Sequence, residues 1–187
     1  HEDDFVYVPN PTTAMNIVIK SLDLKAGDEI LSTNQEYGAI KKTWNYYCKK
    51  ANAKFVQANI ALPLISKEKF LIEFWSALTP KTTTVFLSHI TSETALIFPV
   101  KEIIDKAKEL GLMTIIDGAH VPGHIDLDIR ELDPDFYTGA CHKWMLTPKG
   151  NSFLYVKKHL QTQIDPLIIS WGYDAELVSN SKFLDYL

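Results

Sequence analysis

Short strand-like runs and longer helical runs alternate along this chain, which predicts an α/β fold with a largely parallel sheet covered on both faces. Three observations carry that expectation. Runs such as Thr82 to Leu87 and Leu112 to Ile116 are short, apolar and partly β-branched, as buried strands are. Between them lie stretches with apolar residues at helical spacing, for example Val100, Ile103, Ile104, Ala107 and Leu110. Glycine and proline separate the two kinds of run.

Taken in order, Phe5-Val6-Tyr7-Val8 reads as a first strand, stopped by Pro9-Asn10-Pro11. Thr12 or Thr13 is placed to cap a helix with Ala14, Ile17, Val18 and Leu22 on its apolar side, and Gly27 to help end it. Glu29 to Ser32 is the next strand, Tyr37-Gly38 opens a helix reaching about Ala51, and Lys54 to Gln57 returns as strand. Ser66 begins a helix carrying Phe70, Phe74 and Ala77 and stopping near Thr79-Pro80. Thr82 to Leu87 is strand, with Ser88-His89 at its end. Pro99 suits the first turn of the following helix, and Gly111 lies just past its end. Leu112 to Ile116, Asp135 to Ala140 and Phe153 to Val156 complete the strands. With no internal repeat, low-complexity tract or linker, the expectation is one domain.

Composition narrows the function. The 187 residues are 46% hydrophobic and 22% charged, ordinary for a globular protein with a substantial core. A net charge of −4 without a Lys/Arg stripe argues against nucleic acid as a partner. Lys41-Lys42 with Lys49-Lys50 reads as a solvated helix face. No run approaches the roughly 20 apolar residues needed to span a bilayer. Two cysteines, Cys48 and Cys141, make no disulfide framework and fit a reducing, cytoplasmic setting. His1-Glu2-Asp3-Asp4 lacks the pattern of a secretory leader, and a chain starting on His fits a piece of a longer protein.

The chemistry concentrates between Leu112 and Gly150. Asp117 follows an apolar strand, at the end where open α/β sheets place their ligand crevices. Lys143 follows a second strand, beside the apolar Trp144-Met145-Leu146, whose desolvation would lower an amine pKa. A carboxylate and a lysine so placed suit pyridoxal phosphate. The amine forms a Schiff base with the aldehyde, and the carboxylate keeps the pyridine nitrogen protonated. Taken alone, Asp117 also reads as a helix cap and Lys143 as a surface lysine.

The order of motifs adds to this. Thr114-Ile115-Ile116-Asp117-Gly118-Ala119-His120-Val121-Pro122-Gly123-His124, then Cys141-His142-Lys143-Trp144 and Pro148-Lys149-Gly150, resembles the class V aminotransferase family. The resemblance runs from about Asn10 to Trp171, and Trp144 with Trp171-Gly172-Tyr173 is similar to its isopenicillin N epimerase-like branch.

It implies the large, cofactor-binding domain of a fold-type I enzyme, a three-layer αβα arrangement around a mixed, mostly parallel sheet. This chain would then lack an N-terminal segment and the small C-terminal domain. It also implies Lys143 as the Schiff-base lysine and Asp117 as partner of the ring nitrogen. By the same resemblance Tyr37 stacks on the ring, His120 lies near the ring hydroxyl, and Ser92 stands where desulfurases have Asn. Thr12, Thr13 and His142 would bind the phosphate, and the start of the helix after Pro11 suits an anion by its free N–H groups. Pro11 removes one such N–H. Ala140 replaces a serine of the desulfurases, and Ala95 their glycine.

The implied substrate is an amino acid or related amine, worked on at its α-carbon within a homodimer. Epimerisation, transamination and elimination share these residues. Cysteine desulfurase or lyase chemistry, or a cofactor-binding domain without turnover, are the alternatives. Asp117, His120 and His124 also sketch a metal site, although Pro122 and Gly123 break any helix that would align the histidines. His89 reads equally as a cofactor neighbour and as a bonded structural histidine. Cys141 reads as a small buried residue, Lys149 as structural, and Arg130, the sole arginine, as an ion-pair or surface residue.

Overall fold

The computed structural model describes residues 2–173 and 182–186. Seven strands form one sheet in the order β1-β7-β6-β5-β4-β2-β3. They are β1 (Phe5–Val8), β2 (Glu29–Thr33), β3 (Lys54–Ala58), β4 (Thr82–Ser88), β5 (Met113–Gly118), β6 (Phe136–Ala140) and β7 (Ser152–Val156). Strands β3, β2, β4, β5 and β6 are mutually parallel, and β7 pairs antiparallel with both β6 and β1. The sheet is therefore mostly parallel, as the alternation of runs predicts, and mixed, as the family resemblance implies.

Its two faces carry two separate cores, because successive side chains of a strand point opposite ways. Ile30, Phe86, Ile115, Phe136, Leu154 and Val156 face α1 (Pro11–Ser21) and α2 (Gly38–Ala51). Leu31, Val85, Leu87, Ile116, Tyr137 and Tyr155 face α3 (Lys67–Trp75), α4 (Val100–Glu109) and the single turn α5 (Ile129–Leu132). The neighbours Ile30/Leu31, Ile115/Ile116 and Phe136/Tyr137 thus split between the layers. That is why the central strands read as continuous apolar runs instead of alternating ones. Phe183, in α6 (Lys182–Tyr186), joins the α1–α2 layer and completes the three-layer αβα arrangement.

Several element ends differ from the sequence expectation. The cap of α1 is Asn10, not Thr12 or Thr13: its backbone is extended and its Oδ1 accepts the Thr13 N–H at 2.8 Å. Pro11 then occupies the first helical position, where a missing N–H costs nothing. Helix α1 ends at Ser21 with Leu22 as its C-cap, well before Gly27, whose φ of +91° serves the turn into β2. Helix α3 does start after a Ser66 cap, but stops at Trp75, leaving Ala77 in the following turn. Pro99 precedes α4 as its cap instead of lying inside its first turn. Arg130 is exposed beside Asp128, 3.7 Å away, as a surface ion pair.

A candidate cofactor site at the C-terminal ends of the parallel strands

The parallel strands deliver their C-terminal ends to one edge of the sheet. Ser88, Asp117 and Thr138 lie side by side across β4, β5 and β6. Strand β2 leads through a short turn to Tyr37, the cap of α2. Strand β6 leads to His142 and Lys143, and the N-terminus of α1 closes the remaining side. The result is a cavity of about 260 Å3, small among ligand cavities, which run from roughly 300 to 1,000 Å3.

Of the residues the sequence singled out, Lys143, Asp117, Thr12, Tyr37, Ser92, His120 and His142 all line this cavity. Thr13 does not. Its N–H and its hydroxyl both turn to Asn10 Oδ1, at 2.8 and 3.1 Å, which leaves neither for a ligand. Asn10, Pro11, Ser88, Ile90 and Ala119 complete the lining.

Asp117 is buried, and the only hydrogen bond to its carboxylate among the described residues comes from the Ala119 N–H to Oδ1 at 2.9 Å. Burial raises its carboxyl above the ordinary range, opposed by that N–H and by the charge of Lys143. A buried carboxylate with spare acceptor capacity facing a cavity calls for a positively charged N–H from a ligand. Gly118 follows because nothing larger fits: a methyl there would lie 2.2 Å from the ring of Tyr137.

Lys143 is half-buried, with Nζ 2.9 Å from His120 Nε2. Burial pulls its amine below the ordinary lysine range, and Asp117 pulls the other way. Desolvation is the larger effect, which favours the neutral, nucleophilic amine. The 120s loop reaches Lys143 because Gly123, at φ +79°, lets the Trp144–Met145 backbone approach within 3 Å of where a Cβ would stand.

His142 directs Nδ1 at the Asn151 carbonyl, 3.1 Å away, so Nδ1 carries the proton. Its Nε2 can donate to an anion only when the ring holds both protons. Tyr37 is 47% exposed, with its ring free at the cavity edge.

Other candidates resolve differently. His89 is buried against Tyr137, with Nδ1 3.0 Å from the phenol oxygen, and lies outside the cavity lining. Burial pushes it down to about 4, so it is a neutral structural histidine. Cys141 is half-buried, not buried, because it sits where β6 gives way to the exposed turn carrying Lys143. Its thiol is raised by burial, which makes it a poorer nucleophile. His124 packs on the Trp144 indole, ring centroids 4.5 Å apart. Among the described residues no group of three or more His, Cys, Asp or Glu is arranged to hold a metal ion.

One buried residue at the site carries no signal in the sequence. Glu36, fully buried, accepts from the Ser88 N–H at 2.8 Å, the Ser88 hydroxyl at 2.6 Å and the Thr33 hydroxyl at 2.7 Å. Burial pushes its carboxyl up to about 7 despite those donors, with the charge of Asp117 adding to the rise. It ties the end of β4 to the turn that presents Tyr37.

A mixed α/β sheet with a desolvated lysine and a buried aspartate lining one strand-end cavity is an arrangement that suits a cofactor of the pyridoxal type. Comparison with known proteins gives the family. The aminotransferase class-V family profile matches residues 1–182, and the chain belongs to that family. It is 34% identical to the isopenicillin N epimerase of Streptomyces clavuligerus, over 88% of this chain and 42% of that one. With the same enzyme of Amycolatopsis lactamdurans it shares 34% identity, over 94% of this chain and 46% of the other. Among solved structures, the cystine C-S lyase C-DES in complex with its product, cysteine persulfide, superposes with a TM-score of 0.83 at 26% identity. That superposition covers 98% of this chain and 53% of the lyase. A form of the lyase with glycine covalently linked to the PLP cofactor matches equally, at 0.83 and 25%. The chain spans less than half the length of these curated epimerases.

Proposed function

We propose that this chain is the cofactor-binding large domain of a pyridoxal-phosphate enzyme acting at the α-carbon of an amino acid or related amine, in the manner of the epimerases it resembles. The observation that carries the reading is the meeting of Lys143, Asp117 and His120 in one cavity, with Lys143 desolvated and Asp117 buried. When bound, the cofactor supplies an electron sink for the carbanion formed at the substrate α-carbon.

The protein's own residues do the rest. Asp117 holds a proton on the ring nitrogen, because a buried carboxylate stabilises a cation beside it. Tyr37 offers a flat, uncharged face that fixes the ring plane. Thr12, whose N–H has no acceptor among the described residues, and His142 bind the phosphate at the start of α1. Ser92 and His120 hold the opposite rim. Lys143 would move the substrate's α-proton as base and then as acid.

An exposed apolar run directly after the lysine, with Leu146 85% exposed, supports a homodimer whose partner covers this edge. Among the described residues no helix is long and apolar enough to cross a membrane. Two free cysteines suit a reducing, cytoplasmic compartment. Sulfur lyase chemistry is the second reading, favoured by the likeness to the cystine lyase.

The test uses the full-length protein loaded with pyridoxal phosphate and offered amino acids in deuterated water. Exchange of the α-hydrogen without keto acid or sulfide is the expected result for an epimerase-like site. Keto-acid formation would make it a transaminase and sulfide a lyase. No exchange and no product with any amine would leave a cofactor-binding domain without turnover.

A further inference from the structure

Lys143 does not meet His120 in isolation. The indole Nε1–H of Trp144 points at the other nitrogen of the same ring, Nδ1, at 3.4 Å. An indole N–H only donates, so His120 Nδ1 must offer a lone pair. The Trp144 ring is held in this orientation by its neighbour. It packs on His124 with ring centroids 4.5 Å apart and planes tilted by 36°, and His124 Nδ1 lies 3.2 Å from the His120 carbonyl. A neutral imidazole with a bare Nδ1 carries its proton on Nε2. That Nε2–H lies 2.9 Å from Lys143 Nζ, so the amine must accept, which only its unprotonated form can do. The reverse arrangement, an ammonium donating to Nε2, would put a proton on Nδ1 and set it against the indole N–H.

We propose that Trp144 is a positioning residue: its indole N–H fixes His120 as the Nε2–H form, and through it keeps the Lys143 amine unprotonated and ready to attack an aldehyde. The use of that amine rests on the function proposed above, but the proton's location does not. The other titratable groups around the pair bear on it unequally. Asp117 favours the ammonium, while burial of both His120 and Lys143 disfavours charge on either, and Lys143 and His124 further lower His120. Tyr37 and His142 line the same cavity.

The direct measurement is nitrogen NMR of the full-length, cofactor-free protein labelled with 15N-histidine. His120 is expected to show Nε2 as the protonated, pyrrole-type nitrogen and Nδ1 as the bare, pyridine-type one. A wild-type spectrum with Nδ1 protonated overturns the proposal without any variant. Trp144→Phe keeps an aromatic ring against His124 but removes the donor. It should release His120 into a mixture of forms and raise the Lys143 pKa by about one unit, so that capture of pyridoxal phosphate at neutral pH slows roughly tenfold. An unchanged His120 spectrum in Trp144→Phe also overturns it. If the wild-type tautomer is as described but no pyridoxal phosphate is captured, the functional reading fails while this one stands.

Discussion

At the residue scale, two buried groups behind the cavity wall set opposite pH responses. Glu36 has its carboxyl raised from an ordinary 4.5 to about 7, chiefly by burial. It binds its proton more tightly folded than unfolded, so its contribution to stability is full below about 4.5 and is lost as pH rises through about 7. His89 is lowered from 6.5 to about 4 by burial. Its contribution is present above 6.5 and is lost as pH falls through about 4. Each is worth up to about 3 kcal/mol, and between pH 4.5 and 6.5 they oppose each other. Glu36→Gln should therefore leave a stability that climbs with pH across that window, measured by urea unfolding at several pH values. An unchanged profile would show that Glu36 does not titrate there. Asp117 and Lys143 are legible in the sequence because each stands in a distinctive motif. Glu36 is not, because a glutamate before Tyr-Gly looks like any solvated turn residue until β2 and β4 close around it.

At the element scale, every strand of the sheet and the four longer helices are legible in the sequence, and the differences lie at their ends. The start of α1 shows why. Asn10, Thr12 and Thr13 are all good caps, and only the extended backbone at Asn10 decides among them. Asn10→Ala should cost about 1 kcal/mol of unfolding free energy. Thr13→Ala should cost less than half as much, since its side chain only seconds the cap. Equal losses would mean that the two side chains share it. Asn10→Ala should also loosen phosphate binding at this turn, since it frees the Thr13 N–H and unseats Thr12 beside it. The single turn α5 goes unread because four residues hold too little periodicity.

For the whole molecule, the continuous apolar strands announce a sheet buried on both sides, and the two cores follow from it. The reversal at β7 is not legible: Phe153 to Val156 is as apolar as its parallel neighbours, and strand direction leaves no mark on periodicity. The connection from β6 to β7 holds turns and no crossover helix, so the chain returns beside β6 in the opposite direction. The same connection carries Lys143 out over the strand ends and back, so the element that breaks the parallel pattern is the one that presents the amine to Asp117. The proposed chemistry depends on that amine. The most direct measurement is borohydride reduction of the full-length protein with pyridoxal phosphate, followed by peptide mass mapping. The expected result is one reduced pyridoxyl adduct, on Lys143, lost in Lys143→Ala. Label scattered over surface lysines such as Lys42 and Lys50, or none at all, would contradict it.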